Sequence, residues 1–243
     1  MTNPLISVIV PVYNEKPNIE PTAREIIDAF GQLSSDIEIL FVDDNSPDGT
    51  ADEVERISSQ VPQVRLVQHG KKEGIGAAHR AGYEAAKGKY VMCIDADLCQ
   101  PCSAFLIMKE KLDNGYDLVI GSRYVDGASQ TGKPLLRDLG SRGMNLICRI
   151  LLGIPLTDAT HTFRAFRRDV FEDVVLNLDQ KGHPNFQVQF SFWILKKGYR
   201  ATEIPITFVE RADRGQSKLS VRKEVPSFLR LVGRLMYCRI FSQ

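Results

Sequence analysis

"GIGAAHRAGYEAAKGKYVMCIDADL", Gly74–Leu98, sets two patterns end to end. The first part is rich in alanine, carries Arg80 and Glu84 as solvating charges, and closes at Gly88, which is the composition of a helix and its stop. The second part, Tyr90–Ile94, is an unbroken apolar run, as expected of a strand covered on both faces. It stops at two carboxylates, Asp95 and Asp97. A helix feeding a buried strand that ends in charge is one unit of a layered α/β sheet.

The same unit recurs upstream. "LISVIV" from Leu5 is a β-branched run ending at Pro11, and "NIEPTAREIIDAFGQL" from Asn18 places Ile19, Ala23, Ile26, Ile27 and Phe30 on one helical face. "IEILFV" from Ile37 is a second buried strand that runs into "DDNSPDGT", turn chemistry with a helix-capping signal at Asp48 or Thr50; "ADEVERISSQ" continues that helix and "VRLVQH" is a third strand. This alternation predicts an α/β fold, a mostly parallel sheet with helices on both faces. Beyond Arg123 the pattern changes. "DGASQTGKP" reads as a loop, two helices are closed by Gly153 and Gly198, and "ATEIPITFVER" reads as a strand whose proline suits a sheet edge.

In open sheets of this kind ligands bind beyond the carboxyl ends of the strands. There fall Tyr13 and Glu15 after the first strand, Asp43 and Asp44 after the second, Asp95 and Asp97 after the fourth, and Arg123 after "YDLVI". Two carboxylates one residue apart suit a hard cation, Mg²⁺ or Mn²⁺, shared with the phosphates of a substrate. Tyr13 offers an aromatic face and Glu15 and Asp44 acceptors for a nucleoside, although Tyr13 serves equally as a capping aromatic and Glu15 as a helix-start residue. Gly74 and Gly76 form only half of a dinucleotide fingerprint and follow the wrong strand, which argues against a dehydrogenase.

Bulk properties exclude more than they assign. With 243 residues, 43% hydrophobic, the chain can bury one sizeable core, and its net charge of +1 gives no global attraction to nucleic acid. Five cysteines at irregular spacing, and an N-terminus without the basic start of a signal peptide, lead us to expect reduced thiols in the cytoplasm. Cys99 and Cys102 lack the second pair that a zinc site needs. The longest apolar stretch near residue 150 is too short for a membrane span and contains Arg149.

Taken together, "VIVPVYNE", "FVDDNSPDGT", the opening stretch, "GSRYVDG", "TFRAFRRDVF" and "RGQSKLS" resemble, in their order, the family 2 glycosyltransferases, and among them the dolichol-phosphate (polyprenyl-phosphate) mannose synthases. The resemblance spans nearly the whole chain. It implies a GT-A fold, a GDP-mannose donor, a divalent metal and a polyprenyl phosphate acceptor, with inversion at the sugar carbon. It makes Pro11, Tyr13, Glu15 and Asp44 nucleotide contacts, Asp95, Ala96 and Asp97 the diphosphate and metal segment, and Arg123, Arg137 and Ser141 the acceptor-phosphate residues. Lys218, with Arg211 or Arg214, would meet the donor's phosphates from a mobile loop. Asp97, Arg123 and Lys218 would carry the catalysis. An acceptor phosphate with a second pKa of about 6 is already ionised, so no strong base is required.

Three departures from the family's pattern stand out. Leu98-Cys99-Gln100-Pro101 replaces the usual Leu-Gln-His-Pro, so the expected metal-contacting glutamine is a cysteine. Either Gln100 substitutes, or water fills the position, or the site is weakened; water is the preferred reading. His161-Thr162 replaces Ser-Gly before Phe163-Arg164, and the loop containing Arg211 and Arg214 is one residue longer.

From Lys218 to Phe241 the sequence mixes Val225, Phe228, Leu229, Val232, Leu235 and Met236 with Arg222, Lys223, Arg230, Arg234 and Arg239. A basic amphipathic helix of this kind either lies on a lipid surface or packs on the catalytic body. We expect a catalytic domain over 1–220, a basic amphipathic segment over 221–243, and peripheral attachment to the cytoplasmic membrane face through this segment or through a membrane partner subunit. The alternatives are a UDP-sugar donor such as UDP-glucose, and a non-catalytic sugar-nucleotide or lipid-phosphate binding module.

Overall fold

A computed structural model describes residues 3–70, 74–178, 185–210 and 221–241. In chain order the elements are β1 (Ile6–Val12), α1 (Ile19–Phe30), β2 (Ile37–Asp43), α2 (Thr50–Ser58), β3 (Val64–Gln68), α3 (Ile75–Ala85), β4 (Tyr90–Cys93), α4 (Ala104–Asp113), β5 (Leu118–Ser122), β6 (Ser129–Thr131), α5 (Leu135–Ile147), β7 (Arg164–Arg167), α6 (Arg168–Val174), α7 (Phe186–Lys196), β8 (Ala201–Pro205), β9 (Thr207–Val209) and α8 (Val221–Phe241). Seven strands form one sheet in the order β3-β2-β1-β4-β7-β5-β8, and β6 pairs with β9 beside it.

Strand residues alternate between two apolar layers, which is why the β1 and β2 runs contain no polar break. Ile6, Val8 and Val10 of β1, with Ile39 and Phe41 of β2, pack among Ile26 and Phe30 of α1 and Met108 of α4. Ile9, Leu40 and Val42 face the opposite layer with Tyr83, Phe190 and Phe228. Close approach fixes the glycine that ends the alanine-rich stretch: a Cβ on Gly88 would lie 2.6 Å from the Ser7 nitrogen. Asp48, one of the two expected caps, accepts from the Thr50 nitrogen at 3.0 Å and starts α2.

The sheet is parallel except at β7, which runs antiparallel to both β4 and β5. Periodicity did not reveal this strand. It is four residues long with arginine at each end, and its central Ala165 and Phe166 carry too little pattern to separate it from the start of α6. β8 takes the edge, as its proline requires. Along α8 the apolar residues divide: Phe228, Leu231, Val232 and Leu235 are buried in the second layer, while Val225, Leu229, Tyr237, Ile240 and Phe241 are exposed. Among the described residues no helix is long and apolar enough to cross a membrane.

Candidate active site

The carboxyl ends of β1, β2 and β4 lie side by side because those strands are parallel and in register, Val12 opposite Asp43 and Ile9 opposite Cys93. Pro11 is half-buried near the end of β1, Val12 after it is buried, and beyond them Asn14 takes a left-handed φ of 56° that turns the chain toward α1. The Glu15 nitrogen donates to Thr50 Oγ1 at 3.0 Å, and its carboxylate accepts from Asn18 Nδ2 at 2.7 Å, so the segment after Tyr13 is tied to α2. Asp43 and Asp44 are both buried. Asp43 receives the Ser46 nitrogen and hydroxyl, an internal turn bond. Asp44 accepts from the Gly74 nitrogen at 3.2 Å and meets His69 Nδ1 at 3.1 Å, which joins the ends of β2 and β3 to the start of α3.

After β4 the chain makes a tight turn. The Leu98 nitrogen donates to the Asp95 carbonyl, Leu98 adopts φ 53°, and the Cys99 nitrogen donates to Asp97 Oδ1 at 3.0 Å. The turn brings Gln100 back under Asp95, whose Oδ2 accepts from Gln100 Nε2 at 2.8 Å and from Thr162 Oγ1 at 2.9 Å. Thr22 donates to the carbonyl of buried Ala96 and pins the segment to α1. The Asp95 carboxyl is pushed up to about 6, first by burial and next by the Asp97 charge, against the pull of Gln100, Thr162 and Arg123. Thr162, which donates to Asp95, and Asp158, which holds Arg123, belong to the one segment that precedes β7, and that segment joins the acidic half of the site to the basic half.

Arg123 follows β5 and grips Asp158 through Nε at 2.8 Å and Nη2 at 2.8 Å, a two-pronged pair in which Asp158 is fully buried. Nη2 also reaches Ser141 Oγ at 3.3 Å, whereas Nη1 makes no hydrogen bond among the described residues. Burial opposes the charge on both partners, but their mutual bonds win: Asp158 is held below the usual carboxylate range and Arg123 above its ordinary value. Glu203 of β8 fixes the loop carrying Asp158 by accepting from the Thr157 and Asp158 nitrogens at 2.7 and 2.8 Å. Arg164, with no exposed surface, donates to the carbonyls of Ala159, His161 and Gln187 and holds the same loop from beneath.

The structure brings Arg123 and Ser141 together. Arg137 lies on the same helix but pairs with Glu210 at 2.9 Å. Lys133 adds a cation that the motifs did not mark. Its ammonium lies 3.4 Å from the Tyr124 hydroxyl and 3.8 Å from Asp138, and burial, then the Arg123 charge, bring it down to about 8. His161 Nδ1 donates to the Gly121 carbonyl at 2.6 Å, and burial lowers the ring to about 3, so it is neutral. A neutral ring bound to backbone is a packing residue of the loop. Arg211, Arg214 and Lys218 lie outside the described residues.

Among the described residues no group of three or more His, Cys, Asp or Glu is placed to hold a metal ion. The fit of a hard cation therefore rests on two carboxylates. Asp95 Oδ1 and Asp97 Oδ2 accept no hydrogen bond among the described residues, while their other oxygens are occupied. Two open carboxylate oxygens with the diphosphate of a ligand suit Mg²⁺ or Mn²⁺. The sulfur of Cys99 is not needed for that set. Sequence reasoning missed Asp158 and Lys133, and it marked Thr162 as a departure without its contact to Asp95; Asp158 and Thr162 both lie before the unrecognised β7.

Residues 7–175 match the model of glycosyl transferase family 2. The chain is 36% identical over 233 residues to a dolichol-phosphate mannosyltransferase of Pyrococcus furiosus, which covers 95% of this chain and 63% of that protein. It is 36% identical to a polyprenol monophosphomannose synthase of Mycolicibacterium smegmatis, covering 88% of this chain and 80% of that protein. Among solved structures, a mannosyltransferase from Pyrobaculum calidifontis in complex with GDP-Man and Mn²⁺ aligns over 99% of this chain and 71% of its own, with a TM-score of 0.60 and 21% identity. That likeness shows the GT-A fold.

Proposed function

Because the chain belongs to glycosyl transferase family 2, we propose that it moves mannose from GDP-mannose to a polyprenyl phosphate, inverting the sugar carbon, at a membrane surface. The observation that carries this reading is the segment before β7, which binds the Asp95 carboxylate through Thr162 and the Arg123–Ser141 cluster through Asp158. One side suits a nucleotide diphosphate, the other a phosphate monoester.

In this reading Tyr13, Glu15 and Asp44 line the nucleoside end, and Asp95 and Asp97 hold Mg²⁺ or Mn²⁺ with the diphosphate. The ion, when bound, neutralises the charge that develops on the leaving diphosphate. Arg123 offers the acceptor phosphate its Nη1, which bonds no described residue, with the Ser141 hydroxyl beside it, while Asp158 keeps the guanidinium in place. An oxygen of the acceptor phosphate attacks the sugar carbon as the bond to the diphosphate breaks, and a single displacement inverts that carbon. Lys218, with Arg211 or Arg214, would add charge at the leaving group. No general base is called for, in keeping with His161 being neutral and bound to backbone.

Two surfaces support attachment to lipid. On α5, Leu135 and Leu136 are 74% and 85% exposed, Leu139 and Leu146 continue the exposed apolar set, and Ile150 extends it in the segment that follows. Ser141 and Asn145 of the same helix point inward to the site. Arg239 of α8 donates to the Leu151 carbonyl at 2.8 Å, so the exposed apolar end of α8 is anchored beside the end of α5. The proposal therefore keeps a catalytic body over 1–220 and a membrane-contacting segment over 221–243, and extends the lipid surface to α5. Any membrane partner subunit would meet this same face.

The test is calorimetric titration with GDP, UDP, GDP-mannose and UDP-glucose, each with Mn²⁺, with Mg²⁺ and with chelator, followed by turnover with a short-chain polyprenyl phosphate. Metal-dependent preference for guanine nucleotides with mannose transfer is the expected result. Preference for uridine would change the donor, and nucleotide binding without turnover would leave a binding module.

A further inference from the structure

Two of the departures in the sequence lie far apart in the chain and meet at one atom. Thr162 and Gln100 both donate to Asp95 Oδ2, at 2.9 and 2.8 Å. The strand register explains the first contact. β4 and β7 are antiparallel with Cys93 opposite Arg164, so the next position on the same face beyond each strand sets Asp95 across from Thr162. A glycine there has no side chain to donate. The turn at Leu98 explains the second contact, since it folds Gln100 back beneath the carboxylate, where it is 2% exposed. The amide must present Nε2 to Asp95, because its oxygen would face a like-charged carboxylate. Gln100 Oε1 is then a buried acceptor with no partner among the described residues. A buried amide left half satisfied is retained where its other half does something.

We propose that Gln100 and Thr162 are positioning residues that lock the Asp95 carboxylate so that it offers a single oxygen, Oδ1, to the cation and diphosphate of the donor. This rests on the metal-dependent transferase reading above. The terminal torsion of an aspartate is broad and two-fold, so an unsupported carboxylate can rock or exchange its oxygens. Two donors on Oδ2 remove that freedom and leave Oδ1 as the open oxygen. Thr162 and Gln100 thus give the acidic pair the rigidity that a third protein ligand would otherwise supply, and Cys99 need not touch the ion. Because both donors act on the same oxygen, either one alone retains part of the effect.

The experiment is Mn²⁺ binding in the presence of GDP, read by the loss of the free-ion electron paramagnetic resonance signal, on the full chain and on Thr162→Val, Gln100→Met, their double variant, Thr162→Ser and Asp97→Ala. Near-ultraviolet circular dichroism on each variant reports the packing. Expected are losses of about tenfold in Mn²⁺ affinity for each single variant, in line with a hydrogen bond to a charged group, a loss in the double variant larger than the product of the two, and affinity close to the unsubstituted chain for Thr162→Ser. The Michaelis constant for the lipid acceptor should not move. Thr162→Val and Gln100→Met binding Mn²⁺ within twofold of the unsubstituted chain, while Asp97→Ala binds none, would overturn the lock and leave the metal reading intact. No Mn²⁺ binding by the unsubstituted chain would overturn both.

Discussion

Asp158 shows how much of the site depends on a residue that touches neither proposed substrate. It is fully buried, it receives Arg123 through two nitrogens, and its loop is pinned by Glu203. Asp158→Asn keeps the shape but leaves the guanidinium without its counter-charge. We expect the Michaelis constant for the acceptor to rise about tenfold with that for the donor nearly unchanged, and stability to fall by about 3 kcal/mol, as for other broken buried pairs; steady-state kinetics with each substrate varied, and urea unfolding, report the two effects. The buried histidines set a pH dependence. His79 and His161 are both lowered to about 3, chiefly by burial. Below the ordinary value of 6.5 the unfolded chain takes up protons that the folded chain refuses, so stability falls as pH drops from 6.5 toward 3, by about 2 kcal/mol per histidine at pH 5. Urea midpoints at pH 7.5 and 5 should diverge, and His161→Gln should reduce that divergence; an equal divergence in the variant would assign it elsewhere. Arg123 was legible because it lies just past a recognisable strand, and Ser141 was legible only through the family resemblance, since it sits in the middle of α5. Asp158 was not legible, and Thr162 was visible only as a departure from the family's pattern, since its partner is set by the register of β7 and no local pattern announces a cross-strand neighbour.

At the scale of elements, α8 answers a question that composition left open. A helix with apolar and basic residues can lie on lipid or pack on protein, and here it does the second through Phe228, Leu231, Val232 and Leu235. Deleting everything after Ser220 would therefore uncover the core as well as any lipid-contacting surface, and it is a poor test of membrane binding. Point substitutions separate the roles. Phe228→Ala should cost about 3–4 kcal/mol through the cavity it leaves, measured by thermal or urea unfolding. Leu136→Glu with Leu139→Glu on the exposed side of α5 should leave the unfolding midpoint within about 0.5 kcal/mol of the unsubstituted chain and reduce sedimentation with lipid vesicles severalfold. Retained vesicle binding in that variant would remove α5 from the proposed surface. The parallel strands were legible because burial on both faces forces an unbroken apolar run. The division of α8 was not, because which apolar residues face inward depends on where the helix docks, and that is decided by α7 and the segment after α5.

For the whole molecule, a net charge of +1 hides a polarised surface. Arg142, Arg149, Arg230 and Arg239 are exposed on α5, the segment after it and α8, close to the exposed leucines, isoleucines and aromatics of the same elements. Of these, Arg142 is paired with Asp138 on α5 at 2.8 Å, whereas the α1–α2 side pairs its own charges, Glu20 and Glu53 with Arg56. Global charge therefore predicts indifference to lipid charge, and local charge predicts attraction. The two expectations differ in their response to salt. If the basic and apolar residues share one surface, vesicles containing anionic lipid should bind the protein more tightly than zwitterionic ones at about 0.01 M salt, where the screening length is roughly 30 Å. The difference should close at about 1 M salt, where that length is roughly 3 Å, leaving the apolar contribution of α5 and α8 behind. Co-sedimentation across that range measures both parts. Equal, salt-independent binding to both kinds of vesicle would assign attachment to apolar insertion alone and show that the arginines of α5 and α8 do not face the lipid together.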